Sequence, residues 1–138
     1  MRIDVTIPGE PAGKARPRVT WHGTYTPAKT KHYEANIQAC WMEQSGRRFP
    51  DEIPIKVDIE CAFSIPKSYA KKLRTSLPGK PHNKKPDIDN CIKSALDGLQ
   101  GYAFSEDSKI CEVNARKIYT DGQPYMRIVM ENVDEDAS

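Results

Sequence analysis

The chain has 138 residues, 38% hydrophobic and 29% charged, with a net charge of +2 and a mean hydropathy of −0.69. That length suits one domain with a sizeable core and is short for two. No window approaches the roughly 20 apolar residues of a membrane span, and the amino terminus lacks the charged-then-apolar form of a secretory signal, so a cytoplasmic protein with no membrane partner is expected.

Arg2 to Pro8 alternates Ile3, Val5 and Ile7 on one face and predicts a first strand. Residues 9–26 follow as a Gly/Pro-rich loop carrying arginines. Thr26-Pro27 then opens a helix to about Ser45, with Tyr33, Ile37, Cys40 and Trp41 on its buried side and Pro27 favourable in the first turn. A second strand spans about Pro54 to Ile65, alternating Ile55, Val57, Ile59, Cys61 and Phe63. The next segment holds a short helix near Ser68 to Arg74, after which Pro78, Gly79 and Pro81 predict a loop. A further helix begins near Ile88 and ends before Gly101. Ser108 to Tyr119 and Pro124 to Met130 predict two strands joined at Asp121-Gly122, a hairpin signal. Residues 1–131 thus form one domain, and 132–138 an acidic tail expected to fray. The order βαβαββ implies an α+β fold of two layers: an antiparallel or mixed sheet of about four strands with two main helices on one face.

The stretch KKPDIDNCIKSALDGLQG, residues 84–101, carries the chemistry. At about 100° per residue, Ile88, Ile92, Ala95, Leu96 and Leu99 gather on one side of the helix, and Asp89, Asn90, Lys93 and Asp97 on the other. Pro86 disfavours helical geometry at Lys85, and Asp87 suits an N-cap or the turn before it. Ordinary capping, the helix dipole and i, i+4 pairing along Asp89, Lys93 and Asp97 would account for such charges. Against that, only one of Asp87 and Asp89 can cap, and a second acidic cluster, Ser105-Glu106-Asp107-Ser108, follows the helix. Crowded carboxylates repel unless a cation neutralises them, and hard oxygen donors select Mg²⁺, with Mn²⁺ as substitute, over zinc.

Charge is unevenly placed. From Pro11 to Tyr33 there are Lys14, Arg16, Arg18, Lys29 and Lys31 and no acid; from Pro66 to Pro86 there are Lys67, Lys71, Lys72, Arg74, Lys80, Lys84 and Lys85, again with no acid. Solvated loops often look like this, yet two basic segments flanking an acidic site suit a polyanionic substrate held by its phosphates. Cys40, Cys61, Cys91 and Cys111 have no C-x-x-C spacing and read as buried or half-buried reduced thiols. His22, His32 and His82 share no metal spacing and read as surface or phosphate-neighbouring residues. Trp21, Tyr25 and Tyr69, within the basic segments, either pack or stack on splayed bases.

At these residues the chain resembles the RusA-type crossover junction endodeoxyribonucleases, small Holliday junction resolvases often carried by bacteriophages and prophages. The helix motif of that family, roughly K-P-D-x-D-N-x-x-K-x-x-x-D-x-L, is present at every fixed position. IPGEPAGKARPR, residues 7–18, is similar to the family's P-x-x-K-x-R-P-R segment, and TYTPAKTKHYE, residues 24–34, to the lead into its first helix. Glu106 and Asp107 stand where the family has an aspartate pair, followed by Ile110, Lys117 and Tyr119. The resemblance implies Asp87, Asp89 and Asp107 as metal-binding carboxylates and Lys93 as the essential lysine, the four together being catalytic. Asp97 is taken as a partner that orients Lys93, and Glu106, which departs from the family's aspartate, stands outside the core site.

The implied activity is Mg²⁺-dependent hydrolysis of DNA phosphodiesters in a four-way junction, by paired symmetric nicks from a homodimer, in DNA recombination and repair. No small-molecule organic cofactor is implied. Lys93 would act as a fixed positive charge on the phosphate or leaving group rather than as a general base, because neighbouring carboxylates favour its charged form. Lys14, Arg16, Arg18, Lys84 and Lys85 are the expected DNA contacts. Two alternatives stand beside this reading: a non-catalytic protein that binds branched DNA, and a nuclease acting on forks, flaps or other branches.

Overall fold

Alternation along the strands decides which face of the sheet is covered. The structure is a computed structural model that describes residues 1–14, 18–21, 23–25 and 28–133, with the side chains of 18–20, 24 and 25 outside the description. Strands β1 (Arg2–Pro8), β4 (Ile55–Ser64), β5 (Ile110–Thr120) and β6 (Tyr125–Asn132) form one mixed sheet in the order β1-β6-β4-β5. Helices α1 (Ala28–Gln44) and α3 (Ile88–Leu99) contribute to one core with Ile3, Val5, Ile7, Val57, Ile59, Cys61, Met126, Ile128 and Met130. Both helices therefore lie on the same face, as the alternation predicts.

The opposite face is polar and laced with ion pairs. Arg127 forks onto the Asp4 carboxylate, Lys56 pairs with Glu131, and Arg116 bridges Asp58 and Glu60 across the parallel β4–β5 ladder. Tyr125 also donates to Glu60 at 2.7 Å. These partners lie directly opposite (Lys56–Glu131, Arg116–Glu60) or diagonally across neighbouring strands, so each cation is balanced by an adjacent carboxylate.

Strand pairing corrects one expectation. β5 and β6 do not form a hairpin: β6 pairs antiparallel with both β1 and β4, while β5 pairs parallel with β4 on its far side. The Asp121-Gly122 turn thus steps over the end of β4. The reason is burial, since β4 carries the most continuous apolar run, buried at Ile55, Val57, Ile59, Cys61, Ala62 and Phe63, and takes a central place. Within the supposed loop 9–26, β2 (Arg18–Thr20) and β3 (Gly23–Tyr25) form a small antiparallel ribbon. The short helix of the basic segment, α2, runs Lys71–Ser76, a little later than expected, and buries none of its residues.

Helix α3 is rotated from the expected face. Its buried residues are Cys91, Ser94, Ala95, Gly98 and Leu99, whereas Ile88 is 41% exposed. Small residues allow a close approach of α1: a Cβ added to Gly98 would stand 3.0 Å from Ile37 Cδ1. Cys40, Cys61 and Cys91 are buried free thiols, but Cys111 is exposed, because it lies on the edge strand where the β4–β5 register shifts. The mutual interaction of Cys61 and Cys91 between sheet and helix pushes the Cys61 thiol up and holds that of Cys91 down. β6 continues through Asn132, and the Val133 amide donates to Pro54 at 2.9 Å; residues 134–138 of the expected tail lie outside the described residues.

Candidate nuclease site

Asp87 occupies the N-cap of α3 in extended geometry, yet its side chain makes no capping hydrogen bond. Its backbone carbonyl accepts from Cys91 N at 3.1 Å and starts the helix. Asp89 follows in the first turn, and both carboxylates are exposed. No ion pair joins Asp89 to Lys93 or Lys93 to Asp97 among the described residues. Capping and i, i+4 pairing, the ordinary explanations of this acidic stripe, are therefore not what these side chains do.

An open groove of about 740 Å³ runs beside this helix mouth, lined by Asp87, Ile88 and Asp89 together with Lys84, Arg116 and Lys117. Lys117 defines the groove. It occupies the inward register of β5 opposite Cys61, and its ammonium donates to the Lys84 carbonyl and, at 2.6 Å, to the Pro86 carbonyl. The same ammonium lies 5.9 Å from the Phe63 ring centroid. The loop that delivers Asp87 is thereby tied to the sheet.

Upstream, the loop is laid along the outer edge of β5. Gly79 N donates to Tyr119 O, Tyr119 N to Lys80 O, and His82 N to Lys117 O. His82 stacks on Phe63 with ring centroids 4.0 Å apart and meets Tyr119 edge-on at 4.9 Å. Burial, reinforced by Lys117, pushes the His82 imidazole below its ordinary value, so it packs as a neutral ring. His82 also lines the groove beside Lys84 and Asp87. Tyr69 is half-buried, and burial, followed by the neighbouring Tyr69, pushes the Tyr119 phenol above its ordinary value.

The amino-terminal segment closes on the same helix. Ser94 Oγ donates to Ala12 O at 2.7 Å, and Lys14 N donates to Asn90 O at 2.9 Å. Glycine is required between them, since a Cβ at Gly13 would stand 2.8 Å from Pro86 Cβ and 3.1 Å from Asn90 Cβ. Lys14 then points into the fold, with Nζ 2.6 Å from Glu34 and 3.3 Å from Asp97. Asp97 is thus paired with Lys14, which corrects its expected pairing with Lys93. Lys14 is engaged inside the protein, whereas Lys84 and Lys85 are exposed. Arg16 lies outside the described residues, as does the side chain of Arg18.

Asp107 opens the short 3-10 turn Asp107–Lys109 ahead of β5. Partial burial, followed by the nearby Asp97, pushes its carboxyl above the ordinary value, and Lys93 partly offsets this. Its electrostatic neighbours are therefore the second half of the polar stripe of α3, while Asp87 and Asp89 stand at the mouth. With a rise of about 1.5 Å per residue, Asp97 is about 12 Å along the axis from Asp89. Among the described residues no group of three or more His, Cys, Asp or Glu side chains is gathered closely enough to hold a metal. The donor chemistry nevertheless fits a hard cation: Asp87 and Asp89 offer exposed carboxylate oxygens that no side chain among the described residues engages, beside a lysine-lined groove.

Arg116 and Lys117 were not singled out as site residues by their sequence pattern. The readable signal is a lysine at an inward position of an alternating strand, between Ala115 and Tyr119. Such a side chain must find acceptors within the fold, and here they are the carbonyls ahead of Asp87.

No helix among the described residues is long and apolar enough to cross a membrane. The uncharacterized protein YqaN of Bacillus subtilis strain 168 is 26% identical over 143 residues, an alignment covering 95% of this chain and 96% of that protein. The family described as endodeoxyribonuclease RusA matches residues 8–131, which include both basic segments, all of α3 and Asp107. This match supports an endonuclease that acts on branched, Holliday-junction DNA, and on it the chain belongs to the RusA endodeoxyribonuclease family.

Proposed function

We propose that the protein is a Mg²⁺-dependent endonuclease that resolves four-way DNA junctions by paired symmetric nicks, acting as a homodimer in recombination and repair. The observation that carries this reading is the pair of exposed carboxylates, Asp87 and Asp89, without an ion-pair partner among the described residues and held at the helix mouth beside a groove lined by Lys84 and Lys117. Asp87 and Asp89 would hold the ion, with Asp107 as the third donor once substrate, metal or a second subunit brings the turn at 107–109 toward them. Bound there, Mg²⁺ would activate water and neutralise charge on the phosphate and leaving oxygen.

The chain's own groups supply the rest. Lys93, exposed one turn beyond Asp89, is free to meet a phosphate as a positive charge that costs no reorganisation. Lys84 and Lys85 contact the DNA backbone immediately ahead of the carboxylates, and Arg16 and Arg18 extend that contact from the amino-terminal segment. Lys117 keeps the delivering loop in place, while the Lys14 pair with Glu34 and Asp97 anchors the basic segment to α3.

A nicking assay on a synthetic four-way junction, a fork, a flap and linear duplex separates this reading from its rivals. The protein is expected to bind the junction in EDTA, to nick it only with Mg²⁺ or Mn²⁺, and to prefer it over the other substrates. Asp89→Asn should keep binding and lose nicking. Undiminished nicking by that variant would rule out the site, and junction binding without nicking under every metal would favour a non-catalytic DNA-binding protein.

A further inference from the structure

We infer that the cleft between α2, the end of β4 and the β5–β6 turn is a second phosphate-binding surface, which holds the backbone of a DNA arm away from the carboxylate site. This deepens the proposed function and rests on it for the identity of the polyanion.

The cleft is an open groove of about 560 Å³ lined by Lys67, Lys71, Arg74 and Thr75, with Ser64, Thr120 and Asp121 among the other contributors. Two independent observations mark it. First, α2 buries no residue, so its side chains do not serve the core. Second, its cations are unneutralised. Arg2, Lys56, Arg116 and Arg127 on the open sheet face each meet a carboxylate within 4 Å, but among the described residues Lys67, Lys71, Lys72 and Arg74 meet none. A fold that pairs its surface cations in one place and leaves a cluster of them unpaired in another presents that cluster to an external anion.

The occupant is argued from charge and continuity. The cleft leads along the chain into Lys80, Lys84 and Lys85 and ends at Asp87, with no acid between Pro66 and Pro86. That path is held in place, because residues 79–82 are hydrogen-bonded along the edge of β5. A positioned row of cations running from a cleft to a nuclease site matches the regular charge of a sugar–phosphate backbone. Asp121 is the one acid lining the cleft among the described residues, and it opposes such a ligand.

The test measures junction affinity in EDTA across a salt series for the wild-type chain, for Lys67→Ala/Lys71→Ala/Arg74→Ala and for Asp121→Asn, with folding checked by thermal melting. The triple variant should melt like the wild type, bind at least tenfold more weakly, and reduce the slope of log affinity against log salt by about 2 to 3. Single-turnover nicking at saturating DNA should stay within about twofold. Asp121→Asn should bind more tightly, an opposite sign that a folding defect does not produce. A triple variant with wild-type affinity and slope overturns the cleft while leaving the nuclease reading intact. A wild-type chain that binds no DNA overturns both.

Discussion

The Lys117 ammonium donates to the Pro86 carbonyl at 2.6 Å, so a strand residue holds the backbone just ahead of the first candidate metal carboxylate, Asp87. Hydrogen bonds from a charged donor contribute about 1.5–3 kcal/mol each. Lys117→Met should therefore loosen the loop and lower single-turnover nicking roughly 10- to 100-fold, with a smaller loss of junction affinity. Equal nicking rates for variant and wild type would show that the loop does not depend on this anchor.

Gly98 faces Ile37 where α1 and α3 touch, and an added Cβ would stand 3.0–3.1 Å from three atoms of that side chain. Gly98→Ala gains helix propensity of up to about 1 kcal/mol but overpacks the contact, at a cost of about 1–3 kcal/mol. Net destabilisation is expected in urea unfolding. A more stable variant would mean that α1 yields without strain.

Arg127 hydrogen bonds hold the Asp4 carboxyl below its ordinary value. A carboxylate with a depressed folded value stabilises the fold fully above about pH 4 and loses that stabilisation as pH falls through the folded value. The difference in urea midpoint between wild type and Asp4→Asn should be greatest near neutral pH, with the variant less stable, and should close in acid. A gap that is constant with pH would assign the effect to something other than this ion pair.

Trp21 is 97% exposed and Trp41 fully buried, so the two indoles report on different places. Trp21→Ala should change stability by no more than about 0.5 kcal/mol and abolish the acrylamide-quenchable part of the fluorescence. An exposed indole in a basic segment is suited to stacking on a splayed base, a contact that contributes about 1–3 kcal/mol. Junction binding should quench Trp21 in the wild type, and the variant should bind at least about fivefold more weakly. Unchanged emission and affinity on binding would remove Trp21 from the DNA interface.

Local patterns were legible because they depend on neighbours in the chain. The alternation of Ile3, Val5 and Ile7 and of Ile55 to Phe63 marks both strands, and the Pro86 and Gly101 boundaries mark α3. The Asp121-Gly122 signal misled for the same reason: a turn pattern reports that the chain reverses, not which strand it will pair with. Competition for the buried centre put β4 between β5 and β6. Likewise, helical spacing puts Asp89, Lys93 and Asp97 on one stripe, but it was silent about Lys14, far away in the chain, which takes Asp97 as its partner.

Sequence alone determined the main strands and helices, the basic segments, the carboxylates at the mouth of α3 and the family to which they belong, since each is written in residue types and short-range spacing. Tertiary structure decided that the loop ahead of Asp87 is anchored by Lys117, that Asp107 is influenced by Asp97 and Lys93, and which cations are already paired. Those relations join residues distant in the chain, and only the packing of α3 and the 79–86 loop against β5 brings them together.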